Sequence, residues 1–108
     1  MKFLVEIDHP KTGQSLSADA ARAFITNVIF PTLAKAEQLV QEGTLVAGGP
    51  VAGRIALRFI AEVDTPQQLD RLVSSMPLWA ISDTRVTPLI GFGDRKTHVE
   101  ALLAGLPT

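Results

Sequence analysis

The chain contains no cysteine. Disulfides and thiolate metal sites are therefore excluded, and with only His9 and His98 a histidine-based metal site is not expected. A basic surplus is also missing: 10 Lys and Arg stand against 11 Asp and Glu, for a net charge of −1. Phosphate binding needs such a surplus on one face, so nucleic acid is not an expected partner. A polybasic membrane anchor is excluded on the same ground. No apolar run approaches the roughly 20 residues of a membrane helix. The chain has no Gly-x-Gly-x-x-Gly, no P-loop, no Cys-x-x-Cys and no nucleophile elbow. Gly48-Gly49-Pro50 lacks the lysine and following helix of a phosphate loop and reads as a hairpin turn. Internal repeats and low-complexity segments are absent, and no cofactor is expected.

What is present fits one domain. The 108 residues are 46% apolar, enough for one core and too few for two. Residues 2–7 alternate, with Phe3, Val5 and Ile7 on one face, and predict a strand rather than a signal peptide. Residues 8–16 (Asp8, His9, Pro10, Lys11, Thr12, Gly13, Gln14, Ser15 and Leu16) form the most polar loop. Ser17 is the expected N-cap of a helix whose stripe runs through Ala21, Phe24, Ile25, Val28 and Ile29. Pro31 predicts a kink or break near 27–30. The stripe resumes at Leu33, Ala36, Leu39 and Val40 and ends at Glu42-Gly43.

Residues 44–49 predict a short second strand, 50–53 a turn and 54–63 the clearest strand of the chain. There Ile55, Leu57, Phe59 and Ala61 share one face. Thr65-Pro66-Gln67-Gln68 carries a cap, a first-turn proline and a capping-box glutamine. The helix it starts uses Leu69, Leu72, Val73 and Met76, and Pro77 closes it. Residues 79–90 predict the fourth strand, with Pro88 marking an edge or bulge. Asp94 is the expected cap of a last helix carrying Val99, Leu102 and Leu103.

The order β-α-β-β-α-β predicts an α+β, ferredoxin-like fold: a four-stranded antiparallel sheet with both helices on one face, plus a C-terminal helix. The other face would hold Leu4, Ala56 and Ile60 among charges, too apolar to leave wet. A homo-oligomer, two sheets packed face to face, is the expected solution. The C-terminal helix has no place to dock in the minimal fold and is expected to grip a neighbour.

Three groups of residues carry possible chemistry. Asp8-His9 ends the first strand, where a histidine can serve as general base; the alternative is a solvated loop. Arg54 and Arg58 share one side of strand three, and Asp83 and Arg85 share one side of strand four. If those faces coincide, three guanidiniums meet Asp83, Glu6 and Glu62. Such a cluster suits a small anionic ligand, or else a set of structural ion pairs. Trp79 is either a pocket wall or a core or interface anchor. The expected site is therefore His9, Glu6 and Asp83 as catalytic residues, with Arg54, Arg58, Arg85 and Trp79 binding substrate.

At Met76-Pro77-Leu78-Trp79, followed by Val86-Thr87-Pro88-Leu89, the chain resembles the muconolactone Δ-isomerase family. The resemblance extends back through Glu42-Gly43-Thr44, Gly53 and the capped helix bearing Leu69. It implies a dimeric α/β barrel that assembles into rings and serves cytoplasmic aromatic catabolism. It also implies cofactor-free movement of a double bond in a lactone carboxylate. Three features differ, one being the proline-bearing first helix with its long preceding loop. The family's second strand is rich in Trp, Arg and His, whereas Leu45-Val46-Ala47-Gly48-Gly49 carries no ionisable group. Arg54 stands where the family has histidine. The resemblance thus leaves open a non-catalytic ligand-binding barrel and a barrel related to cofactor-free oxygenases.

Overall fold

The computed structural model describes residues 1–11, 13 and 15–108. Thr12 and Gln14 of the polar loop lie outside the described residues. Strand β1 (Lys2–Asp8) leads through that loop to helix α1 (Ala18–Phe24), a π-helical stretch (Ile25–Ile29) and helix α2 (Phe30–Gln41). Strands β2 (Leu45–Pro50) and β3 (Ala56–Glu62) form a hairpin. Helix α3 (Pro66–Ser74), a 3-10 turn (Pro77–Ile81), strand β4 (Asp83–Leu89) and helix α4 (Phe92–Ala104) complete the chain.

The sheet order is β2-β3-β1-β4, and every neighbouring pair is antiparallel. This is the expected split βαβ topology. Phe3, Val5 and Ile7 of β1 and Leu57, Phe59 and Ala61 of β3 are buried on one face. They meet Leu39 of α2, Leu69 and Val73 of α3, and Met76 and Leu78 beyond it. Ile7 and Met76 are fully enclosed, each worth roughly 1.5–3 kcal/mol of transfer free energy.

The caps form as their residue types dictate. The Ser17 hydroxyl accepts from the Ala20 amide at 3.1 Å, and the Thr65 hydroxyl accepts from the Gln68 amide at 3.1 Å. Gln68 Oε1 reaches back to the Asp64 amide at 2.7 Å, one residue before the cap. Gly43, at φ 81°, ends the first helical unit in the left-handed conformation that glycine tolerates.

Four boundaries differ from expectation. Pro31 does not end the helical run, although the regular α-helix is interrupted at Ile25–Ile29, close to the expected place. The turn before it widens instead, with the Phe30 amide bonding the Ile25 carbonyl five residues back. An added residue in the turn relieves the clash a proline ring makes one turn earlier. The 79–90 strand begins only at Asp83, because Pro77 starts a 3-10 turn through Ile81. Strand β3 begins at Ala56, so Arg54 and Ile55 belong to the preceding turn, and Ile55 is exposed rather than on the core face. Gly91, not Asp94, precedes α4, and Asp94 lies in its first turn. Pro88 does lie on an edge strand.

Candidate functional site

The face of the sheet opposite the helices carries Leu4, Glu6 and Asp8 from β1. Register places Glu6 between Arg58 of β3 and Arg85 of β4, and places Asp8 between Ala56 and Asp83. Charges of opposite sign therefore alternate across the strands. Glu6 lies 3.6 Å from Arg58 Nε and 3.9 Å from Arg85 Nε. Asp8 Oδ1 accepts from Arg54 Nη2 at 2.6 Å and from Arg58 Nη2 at 3.0 Å. Three guanidiniums and two carboxylates thus form one row: Arg85, Glu6, Arg58, Asp8, Arg54. Arg58, Glu6 and Asp8 are about one-third exposed, while Arg85 is 80% exposed. The inner pairs are therefore the less screened ones.

The faces of strands three and four do coincide, but the partners are not all those expected. Asp8 is the second carboxylate of the row. Glu62 lies at the other end of β3 and pairs with the N-terminal amine at 3.5 Å. Asp83 has no cation within ion-pair distance among the described residues. Its position opposite Asp8 in the register explains this, because the two guanidiniums near that end are both held by Asp8.

At the end of the row lies a cleft of about 730 Å³, lined by Asp8, His9, Pro10, Lys11, Gly53, Arg54, Ile55 and Asp83. His9 is half-buried there and fixed on three sides. Its amide donates to the Ile55 carbonyl at 3.0 Å. Its ring lies 5.3 Å from the Phe24 ring, tilted by 33°. Its Nδ1 lies 3.1 Å from the Ile81 carbonyl oxygen. A carbonyl only accepts, so Nδ1 carries the hydrogen of this bond. In the neutral ring Nε2 is then the acceptor nitrogen.

The structure brings His9, Arg54 and Asp83 to this cleft. Glu6, Arg58 and Arg85 stay in the row behind it. Trp79 is 41% exposed in the 3-10 turn and does not line the cleft. Lys11 and Ile55 line it without having been in the expected set, and Asp8, a candidate with His9, lines it too. The even numbering of Glu6 and Asp8 on a strand was the available signal for Asp8, since it puts both on one face. A second hollow of about 450 Å³ lies among Lys35, Glu62 and Arg71 at the far end of the sheet. It contains none of the expected site residues. No set of three His, Asp or Glu side chains able to hold a metal occurs among the described residues.

The chain matches the family model "Muconolactone delta-isomerase" over residues 1–95. Its fold is similar to a crystal structure of muconolactone isomerase, with a TM-score of 0.67 and 24% sequence identity. That match covers 84% of this chain and 90% of the other. No curated protein matches the chain.

Proposed function

This chain belongs to the muconolactone delta-isomerase family, and from that membership we propose that it moves a double bond in a small lactone acid by proton transfer, without a cofactor. The observation carrying the proposal is His9: one ring nitrogen is tied to the Ile81 carbonyl at 3.1 Å, at the wall of a cleft that also holds Arg54. A base held in one tautomer and one orientation is what proton abstraction beside a carbonyl system requires.

In the proposed reaction Nε2 of His9 removes a proton from the saturated ring carbon attached to the far end of the double bond, which is itself conjugated with the lactone carbonyl. The C–H electron pair becomes part of a dienolate spread to the carbonyl oxygen. The imidazolium then returns the proton to the carbon next to the carbonyl, and the double bond has moved by one position. Atoms and charge balance with no added reactant. Arg54 and Lys11 bind the side-chain carboxylate. Asp83 lines the same cleft and is the competing base. Glu6 is engaged by two guanidiniums and is assigned to the charge row rather than to catalysis. The charge row fixes Arg54 through Asp8.

A second reading, a ligand-binding barrel without turnover, is favoured by one feature: Asp8 already occupies both Arg54 and Arg58. On either reading the protein works in the cytoplasm on acids from aromatic breakdown, as a dimer with its sheet faces packed together. Half-buried Leu4 and Ile60 are the apolar part of that face.

The test is proton exchange followed by NMR, with muconolactone in deuterated buffer. His9→Gln is expected to lower the rate by about 100-fold or more, the usual contribution of a general base, while Asp83→Asn retains most of it. An unchanged rate in His9→Gln, with loss in Asp83→Asn, reverses the assignment. Binding without exchange in the unsubstituted protein supports the second reading.

A further inference from the structure

A smaller hollow, of about 170 Å³, lies between the first helical unit and the start of β3. Ile29, Leu33, Pro50, Ile55, Leu57 and Leu78 wall it. Two residues, Arg54 and Ile55, line both this hollow and the cleft that holds His9. The two spaces therefore meet at the turn before β3.

The polar side chains of the hollow are already engaged. The Thr32 hydroxyl oxygen accepts from the Leu78 amide at 3.1 Å. Arg54 Nη2 donates to Asp8 Oδ1 at 2.6 Å, and Asp8 lines the cleft, not the hollow. Arg54 thus turns its charged end toward the cleft and gives the hollow its methylene stem. No Asp, Glu, Lys or His among the described residues lines the hollow. A water needs two to four polar partners, and the side chains here offer it few. The space suits an apolar group beside a charged one, and the charged one belongs in the cleft.

We propose that the hollow receives an alkyl substituent on the lactone ring, so that the preferred ligand is an alkylated lactone acid rather than the bare compound. The inference rests on the lactone-acid reading of the cleft and narrows its substrate class. The carboxylate stays with Lys11 and Arg54, the ring lies against Ile55, and the alkyl group passes the Arg54 stem. At roughly 30 Å³ for a water-sized group, the hollow holds about four or five carbons. Each methylene buried there is expected to tighten binding about fourfold. Leu33 and Ile55 become specificity-determining residues, since they bound the space without touching the reacting atoms.

The test is calorimetric titration with muconolactone and with its methyl, ethyl and butyl derivatives, the alkyl group placed on each alkene carbon in turn. For one of the two positions the butyl compound is expected to bind at least tenfold more tightly than muconolactone, with methyl and ethyl between. Leu33 is 39% exposed, so the fold tolerates its replacement. Leu33→Trp narrows the hollow, and Leu33→Asn makes its wall polar. Both are expected to abolish the gain from the alkyl group and to leave the affinity for muconolactone within about twofold. Equal affinity for all the compounds overturns the inference. So does an equal loss for muconolactone and the butyl compound in both Leu33 variants. Turnover is followed separately by proton exchange. Tighter binding of the butyl compound without exchange sinks the proposed reaction and supports the alkyl subsite. Exchange on muconolactone with no gain from any alkyl group supports the reaction and overturns the subsite.

Discussion

Thr32 is the one buried polar side chain of the described residues, 2% exposed, and its hydroxyl accepts from the Leu78 amide at 3.1 Å. That bond joins α2 to the 3-10 turn whose last residue, Ile81, holds His9. Replacing Thr32 with Val keeps the shape and removes the acceptor. The Leu78 amide, with its residue 3% exposed, is then left buried without a partner, at a cost of about 1–3 kcal/mol. Replacing Thr32 with Ser keeps the acceptor and loses one buried methyl, at about 1 kcal/mol. The assay is urea unfolding at one fixed protein concentration. Hydrogen exchange at the Leu78 amide accompanies it. Thr32→Val should accelerate that exchange by tenfold or more, and Thr32→Ser should leave it slow. A Thr32→Val protein that unfolds within 0.5 kcal/mol of the original, with a slow Leu78 amide (about the noise of a surface substitution), refutes the reasoning.

Two further changes follow from the sheet. Gly48 has φ +110°, and an added Cβ would lie 2.1 Å from the Arg58 carbonyl oxygen. Gly48→Ala is therefore expected to cost about 3 kcal/mol or more, combining backbone strain with displacement of an edge strand, and thermal melting checks it. Arg58→Met leaves Asp8 with Arg54 alone and Glu6 with a distant, exposed Arg85. Because those groups are partly solvated, the expected loss in urea titration is only about 1 kcal/mol, falling further in high salt.

Much of the fold was legible because local and long-range signals agreed. In β1 the alternation of Phe3, Val5 and Ile7 predicted the buried face, and Thr65-Pro66 predicted the start of α3 to the residue. Where they disagreed, local chemistry set the boundary. Apolar residues 79–81 look like the start of a strand, but the Pro77 ring favours a tight helical turn, and the Thr32 hydroxyl rewards it. The site was half legible. Strand parity puts Glu6, Arg58 and Arg85 on one face. Pairing register, which no single strand reveals, decides that Glu6 meets two arginines while Asp83 faces Asp8. Lys11 and Ile55 came to the cleft from loops, where periodicity carries no information.

The widened turn at residues 25–29 also sets an angle. One residue of an α-helix is 100° of rotation, so the extra residue there acts as a phase shifter between two otherwise continuous helices. Downstream of it, Thr32 and Leu39 point at the core. Upstream, the same insertion aims Phe24 at the His9 ring. Shortening the stretch to a regular α-turn would leave α2 seated and rotate α1 by about a quarter-turn, carrying Phe24 off the histidine. The aromatic wall beside His9 is thus timed by helix pitch, and a one-residue deletion in a stretch that carries no charged residue would unfasten it.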